Sequence, residues 1–210
     1  PVETVQQTVL PVDQERKYEL LLQLLPQTGE GQVLVFTRTK HRAQKVARLL
    51  SQAGHSAVSL QGNLSQNRRQ AAMDGFRSGR VKVMVATDIA ARGIDVSQVT
   101  HVINYDMPNT AVAYTHRIGR TGRMERLGTA LTLATHEDHL MIRSIERLLG
   151  RPLARKQVEG FEPVPQSLQI ETPQPAAPLR RPSSAPSRPQ SNQRPAAANR
   201  PGTQTSRFRR

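Results

Sequence analysis

The stretch V-M-V-A-T-D-I-A-A-R-G-I-D, residues 83–95, decides the fold class of this chain. Its first residues are apolar, as expected for a strand that is buried on both faces of a sheet. Small, polar and charged residues follow at once, and such hydroxyls and glycine amides suit contacts to phosphate oxygens. Ligands in parallel sheets bind beyond the carboxyl ends of the strands. The stretch therefore predicts a buried strand that ends in a ligand-binding loop.

Strand-like and helix-like segments alternate on both sides of this stretch. Short apolar runs indicate strands at residues 33–36, 57–60, 101–105 and 129–134. Helical patterns lie between or after them at residues 43–50, 65–79, 110–117 and 135–150. Residues 5–12 are predicted to form an edge strand and residues 13–25 a helix. This alternation with short links predicts an α/β fold, an open parallel sheet with right-handed crossovers and helices on both faces.

A second segment, H-R-I-G-R-T-G-R at residues 116–123, carries an arginine at every third position, with glycines between them. The guanidinium group is always charged and its planar fork of donors fits phosphate oxygens. Glycine lets the backbone approach a ligand closely. A lone R-x-x-R would be a solvated basic loop, but this array suits a phosphate group whose charge is stabilised during transfer. We expect both arginine-bearing segments at or next to the carboxyl ends of the strands.

The composition indicates a polyanionic partner. The chain has 210 residues, no cysteine and a net charge of +14, and such a positive balance favours nucleic acid. The absence of cysteine fits a reducing compartment, and we expect a cytoplasmic protein. No run approaches the ~18–20 apolar residues of a membrane span, and the first residues lack a signal-peptide pattern. Because the chain begins with proline, we expect it to be a piece of a longer protein or a processed product.

The last quarter of the chain differs sharply from the rest. No acidic residue follows Glu171, and proline, alanine, serine, glutamine, asparagine and arginine predominate. Such a segment cannot bury enough apolar surface to offset its ordering entropy. We therefore predict a folded domain over residues 1–150, a short linker or docking segment over 151–162 and a disordered basic tail over 163–210.

Together these segments resemble the C-terminal half of a bacterial DEAD-box ATP-dependent RNA helicase, and the basic tail is similar to that of the RhlE-like group. Residues 86–95 match A-T-D-x-A-A-R-G-I-D in full, and residues 116–123 match H-R-I-G-R-T-G-R in full. Residues 60–69 resemble L-H-G-x-x-x-Q-x-x-R, with Gln61 in place of histidine, and residues 35–40 resemble the strand-end segment of the family. The resemblance implies a RecA-like fold.

The resemblance also implies roles for individual residues. It makes Arg120 and Arg123 catalytic arginine fingers that reach the terminal phosphates, and it adds Gly93 and Asp95 to the nucleotide site. Contacts to RNA are implied for Thr39, Gln66, Arg69, Thr87, Arg92 and Gly93. A structural or coupling role is expected for Asp88, His116 and Arg117. Asp95 can also be a helix-cap or turn residue, and Arg117 a structural salt bridge.

The same resemblance implies ATP and Mg²⁺, with Mg²⁺ held mainly by an N-terminal half. Neither G-x-x-x-x-G-K-[ST] nor D-E-A-D occurs in this sequence, so we expect the chain alone to hydrolyse little ATP. Expected partners are RNA, the N-terminal RecA-like domain of the same protein and RNA-decay or ribosome-assembly proteins, with no membrane. The alternative is a non-catalytic RNA- or protein-binding module; a DNA helicase fits the segments less well.

Overall fold

The computed structural model describes residues 4–92, 98–122 and 127–161. Within these ranges strands and helices alternate as the sequence predicts. The strands are β1 (Val5–Pro11), β2 (Gln32–Phe36), β3 (Ala57–Leu60), β4 (Val83–Ala86), β5 (Val99–Asn104), β6 (Gly128–Ala134) and β7 (Ala154–Arg155). The helices are α1 (Lys17–Leu24), α2 (Lys40–Gln52), α3 (Gln66–Arg77), α4 (Ala111–Ile118) and α5 (His139–Leu149).

The strands form one sheet in the order β3-β4-β2-β5-β6-β1-β7. Every pair of neighbours is parallel, which confirms the predicted sheet. Because the strands run the same way, the loops after β2, β3, β4 and β5 all leave from one edge of the sheet. We call this edge the carboxyl edge.

Alternation along the central strand β2 explains how the helices cover both faces. Every residue of β2 is buried. Val33 and Val35 pack with α1 and α2 on one face, whereas Leu34 and Phe36 pack with α3 on the other. A further cluster beneath α4 and α5 covers the β6–β1 end of the sheet. The sheet is thus buried on both sides, as the apolar runs predict.

One feature at the β1 end differs from expectation. Residues 5–12 were expected to form an edge strand, but β7 pairs with β1 through Thr8 and Val9, so that expectation is wrong. Farther along, Phe161 is buried in the cluster that contains α1 and α2. Residues 151–161 therefore pack onto the folded domain. The predicted tail, residues 163–210, lies outside the described residues. No helix in the described ranges is both long and apolar enough to span a membrane.

Candidate functional site

Polar residues collect at the carboxyl edge because four neighbouring strands end there. Thr39 follows β2, Gln61 follows β3, Thr87 follows β4 and Asp106 follows β5. Two helices also begin at this edge. Thr39 caps α2 by accepting a hydrogen bond from the Arg42 backbone N–H, and the Ser65 side chain caps α3. Since helix N-termini favour anions, the edge suits phosphate groups.

The buried side chain of Arg117 joins the two arginine-bearing segments. Its guanidinium donates to both carboxylate oxygens of Asp88, at 2.6 and 2.8 Å. It also donates to the side chain of Asn104 at 3.2 Å and to the carbonyl oxygen of Asp106 at 2.7 Å, and it lies over the ring of Phe36. Arg117 is only 2% exposed, so its charge is satisfied inside the protein. This is the arrangement that a structural role for Asp88 and Arg117 requires.

The same ion pair forms one wall of a small cavity of about 90 Å³. Arg92, from the segment after β4, and Arg120, from the segment after α4, both line it. His116 contributes another part of the wall, and its side chain is exposed. The structure thus brings together a residue predicted to contact RNA, Arg92, and one predicted to contact ATP, Arg120. A cavity with two arginines and a histidine at its wall can accept a phosphate group.

The end of the second segment lies farther from the carboxyl edge than expected. The Thr121 hydroxyl hydrogen bonds with the carbonyl oxygens of Val99 and Thr100, at 2.7 and 2.9 Å. Val99 is the first residue of β5, so this part of the segment lies at the amino ends of the strands. The second segment therefore starts next to the carboxyl edge, where Arg117 contacts Asp88, and its end lies at the amino ends of the strands. The site extends along the face of the sheet because α4 runs back across it.

Backbone contacts at this amino end require glycine at two positions. Gly122 has a φ of +69°, a conformation that favours glycine, and the Thr4 hydroxyl donates to its carbonyl oxygen. A Cβ atom at Gly128 would lie 2.5 Å from the backbone nitrogen of Gly122. The tight approach fixes where the arginine-bearing segment meets the start of β6.

The residues predicted to contact RNA differ in exposure and in whether they have a partner within the protein. Thr39, Gln66 and Arg92 are exposed, and Thr87 is half-buried. Arg69 instead donates to the carbonyl oxygen of Ala90 at 2.9 Å, which ties the start of α3 to the segment after β4. Its guanidinium therefore also has a structural partner.

Asp106 is a site residue that the sequence analysis missed. Its side chain is 4% exposed and accepts from the Arg38 backbone N–H at 2.8 Å and from the Arg42 guanidinium at 2.6 Å. Because its own carbonyl oxygen accepts from Arg117, Asp106 connects the start of α2 to the arginine-bearing segments. An aspartate directly after an apolar strand was the available signal.

A buried lysine, Lys17, holds the turn that follows β5. Lys17 is 2% exposed, and its ammonium group donates to the Tyr105 carbonyl oxygen at 3.1 Å. Burial lowers the pKa of Lys17, and the carboxylates of Asp138 and Asp106 act in the opposite direction. Burial, reinforced by Asp106, raises the pKa of Tyr105 to about 12. The turn after β5 is therefore held by buried polar groups on both sides.

Three predicted site residues, Gly93, Asp95 and Arg123, lie outside the described residues. Within the described ranges, no group of three or more His, Cys, Asp or Glu side chains could hold a metal ion. The roles of all the predicted site residues therefore stay predictions.

Comparison with known proteins places this arrangement in a family. The helicase conserved C-terminal domain family matches residues 16–125, just over half of the chain. CshA of Bacillus subtilis (strain 168), a DEAD-box ATP-dependent RNA helicase, is 41% identical over 154 residues, which cover 73% of this chain and 31% of that protein. The chain spans about a third of the length of the curated relatives it matches.

Solved structures share the fold. The Escherichia coli DEAD-box protein SrmB, bound to the regulator of ribonuclease activity A (RraA), superposes with a TM-score of 0.70 at 39% identity, covering 73% of this chain and 91% of that one. Saccharomyces cerevisiae Dbp5, bound to RNA and ADP BeF3, gives a TM-score of 0.70 at 31% identity, covering 73% of this chain and 42% of that one. The chain therefore belongs to the helicase conserved C-terminal domain family, as a RecA-like C-terminal domain of the kind that DEAD-box RNA helicases carry.

Proposed function

We propose that this chain is the C-terminal half of an enzyme that uses ATP to separate short RNA duplexes locally. It supplies arginine fingers to the ATP site and part of the RNA-binding surface. The curated relatives are named ATP-dependent RNA helicases, and a structural neighbour binds RNA and ADP BeF3. These likenesses do not favour a non-catalytic binding module. The finer assignment to the RhlE-like group stays a prediction.

The observation that carries the proposal is the bidentate Arg117–Asp88 pair. It fixes the segment after β4 against the last turn of α4, so that Arg92 and Arg120 line one cavity. An RNA strand on the first segment and a nucleotide at the second would then be joined by one buried guanidinium. Such a connection allows binding at one site to affect the other.

We assign Arg120 and Arg123 to the terminal phosphates of ATP, where they offset charge that develops during transfer. Gly93 and Asp95 complete the nucleotide side. RNA phosphates are contacted by Thr39, Gln66, Arg69, Thr87, Arg92 and Gly93. Since hydroxyl, amide and guanidinium donors reach the backbone rather than the bases, the contacts fix register without reading sequence.

The remaining parts of the ATP site belong to an N-terminal RecA-like domain in this proposal. The P-loop and the carboxylates that hold Mg²⁺ would come from that half; bound Mg²⁺ neutralises charge on the phosphates. We propose the domain division at 1–150, 151–162 and 163–210, with the basic tail adding salt-sensitive RNA affinity. RNA-decay or ribosome-assembly proteins stay predicted partners, and the cytoplasmic location stays a prediction.

ATP turnover tests the proposal directly. It would be measured with and without single-stranded RNA, for the 210-residue chain alone and for the chain joined to a DEAD-box N-terminal half. We expect RNA-stimulated turnover only in the joined protein, because neither half holds a complete site. The absence of turnover in the joined protein, with RNA binding retained, would contradict the proposal and favour a binding module.

A further inference from the structure

The outward face of α2 carries a line of basic and amide side chains. His41, Lys45 and Arg48 lie four and three residues apart, so they project from one side of the helix, and all are exposed. We call these three residues the α2 stripe. Gln44 lies between them on the same side and is also exposed. The opposite side is buried in the core, so the stripe faces away from the sheet.

The charges of the stripe are not balanced within the described part of the chain. No acidic residue occurs in α2. The two cations at its start have partners: Lys40 donates to Asn63 and Arg42 pairs with Asp106. Among described residues, Lys45 and Arg48 form no side-chain hydrogen bond or ion pair.

Helix α3, by contrast, compensates part of its own positive charge. Its Arg77 lies 3.9 Å from Asp74 of the same helix. Like charges three residues apart on a helix are mildly destabilising. The repulsion between Lys45 and Arg48 therefore lowers the stability of α2 slightly, and no contact within the described part offsets it. This points to a ligand of opposite charge.

The stripe is continuous with the carboxyl edge. α2 begins directly after Thr39, at the edge where Thr87 and Gln66 also lie. From His41 to Arg48 the helix rises about 10 Å, at about 1.5 Å per residue. That length equals the axial rise of about three nucleotides of a stacked nucleic-acid strand, at about 3.4 Å of helix axis per nucleotide.

We infer that an RNA strand leaving the carboxyl edge continues along the α2 stripe, where Lys45 and Arg48 contact its phosphates. This inference rests on the proposed function, because it extends the RNA path of that site. RNA fits better than an acidic protein, since the stripe offers only basic and amide side chains. An aromatic or aliphatic anchor, which protein interfaces usually need, is absent from it. The contacts are independent of sequence because they involve phosphates only.

Salt dependence of RNA affinity tests the inference on the full 210-residue chain. The variant is Lys45→Gln/Arg48→Gln, which removes two charges and keeps good helix formers. The matched control is Arg143→Gln/Arg147→Gln on α5, whose exposed arginines lie on the other face of the sheet. Each protein is titrated with single-stranded RNA of about 6 and of about 16 nucleotides, a range of site sizes known for single-strand binders.

For the longer RNA, we expect the stripe variant to lower the slope of log affinity against log salt by about 1.4, or about 0.7 for each lost phosphate contact. The shorter RNA, which fills only the carboxyl edge, should bind the variant and the wild type alike. The control should match the wild type with both RNAs. An unchanged slope in the stripe variant, or an equal loss in the control, would overturn the inference while leaving the proposed function intact. A wild-type chain that binds neither RNA would instead overturn the proposed function, and the inference with it.

Discussion

At the scale of single residues, Arg117 organises the site although the sequence places it among three similar arginines. A buried charge is costly unless it is paired and hydrogen bonded. Arg117 meets both conditions, with a bidentate carboxylate and two further acceptors. Sequence spacing alone could not separate it from Arg120, because the difference lies in which side chain the fold buries.

Replacing Arg117 with methionine should lower the free energy of unfolding by about 2–4 kcal/mol, because Asp88 and Asn104 would lose their shared donor. This loss is smaller than that expected for a fully buried ion pair, because the Asp88 side chain is 37% exposed. Urea denaturation of the 210-residue chain measures it. As a control, Arg155→Met removes the exposed partner of Glu146 and should cost under about 1 kcal/mol. Equal effects of the two variants would contradict the structural role of Arg117.

Asp106 is the second residue of consequence, since it holds the start of α2. Asp106→Asn keeps the shape of the side chain but weakens its bonds to Arg38 and Arg42, because hydrogen bonds to a charged group are stronger than neutral ones. In the joined two-domain protein, we expect the RNA concentration for half-maximal stimulation of turnover to rise about tenfold, a loss of about 1.4 kcal/mol.

Turnover of the Asp106→Asn protein at saturating RNA should change less, since the Arg117 contact uses the backbone carbonyl of Asp106. Asp74→Asn, at an exposed position of α3, is the control and should leave RNA stimulation unchanged. A rise in the RNA requirement that is the same in both variants would argue against a role for Asp106 in placing α2.

At the scale of elements, periodicity predicted most of the fold. The apolar runs indicated the central strands. The helices predicted over residues 65–79 and 135–150 begin at a Ser65 cap and at a Thr135–Asp138 capping box. Strand β7 was missed because two exposed residues carry no periodic signal. Without β7, β1 was wrongly expected at the edge. Such pairings depend on tertiary contacts rather than on local pattern.

The helix that carries the arginine-bearing segment depends on its N-terminal cap. The Thr110 hydroxyl accepts from the Ala113 backbone N–H at 3.0 Å. Thr110→Ala should lower the free energy of unfolding by about 1 kcal/mol, whereas Thr110→Asn, which retains a capping oxygen, should change it little. Urea denaturation of both variants provides the measurement. An alanine variant as stable as the asparagine variant would show that the cap contributes nothing to α4.

At the scale of the whole molecule, the path of the site could not be predicted from the sequence. The strand-end residues Thr39 and Thr87 lie at the carboxyl edge as expected. The Thr121 region does not, because the direction of α4 across the sheet places it at the amino ends of the strands. The order of the segments in the sequence indicates that they form one site. How far apart they lie along the face of the sheet depends on how α4 packs against it.

The buried tyrosines should make the stability of the whole chain sensitive to alkaline pH. Burial raises the pKa of Tyr105 and of Tyr114 from 10.0 to about 12. The unfolded chain therefore ionises first, so the stabilising contribution is complete below pH 10 and is lost as the pH rises to about 12. Burial lowers the pKa of Lys17 from 10.5, so raising the pH increases the free energy of unfolding through this residue. That increase is complete by about pH 12.

Urea denaturation between pH 10.5 and 12 should thus show a loss of about 1.5 kcal/mol for each of the two tyrosines. Tyr114→Phe should remove its share of this loss, whereas Tyr18→Phe, at a half-buried position, should remove less. Wild type and Tyr114→Phe losing stability in parallel would contradict this explanation.

The most direct measurement is RNA-stimulated ATP turnover by the joined two-domain protein with Arg120→Ala or Arg123→Ala. If these arginines act as fingers on the terminal phosphates, each substitution should reduce turnover by roughly 10³-fold or more. RNA affinity should stay within about threefold of the wild type, and Arg143→Ala, on the exposed side of α5, should retain full turnover. Unchanged turnover in both finger variants would contradict the assignment of this domain as a contributor of catalytic arginines.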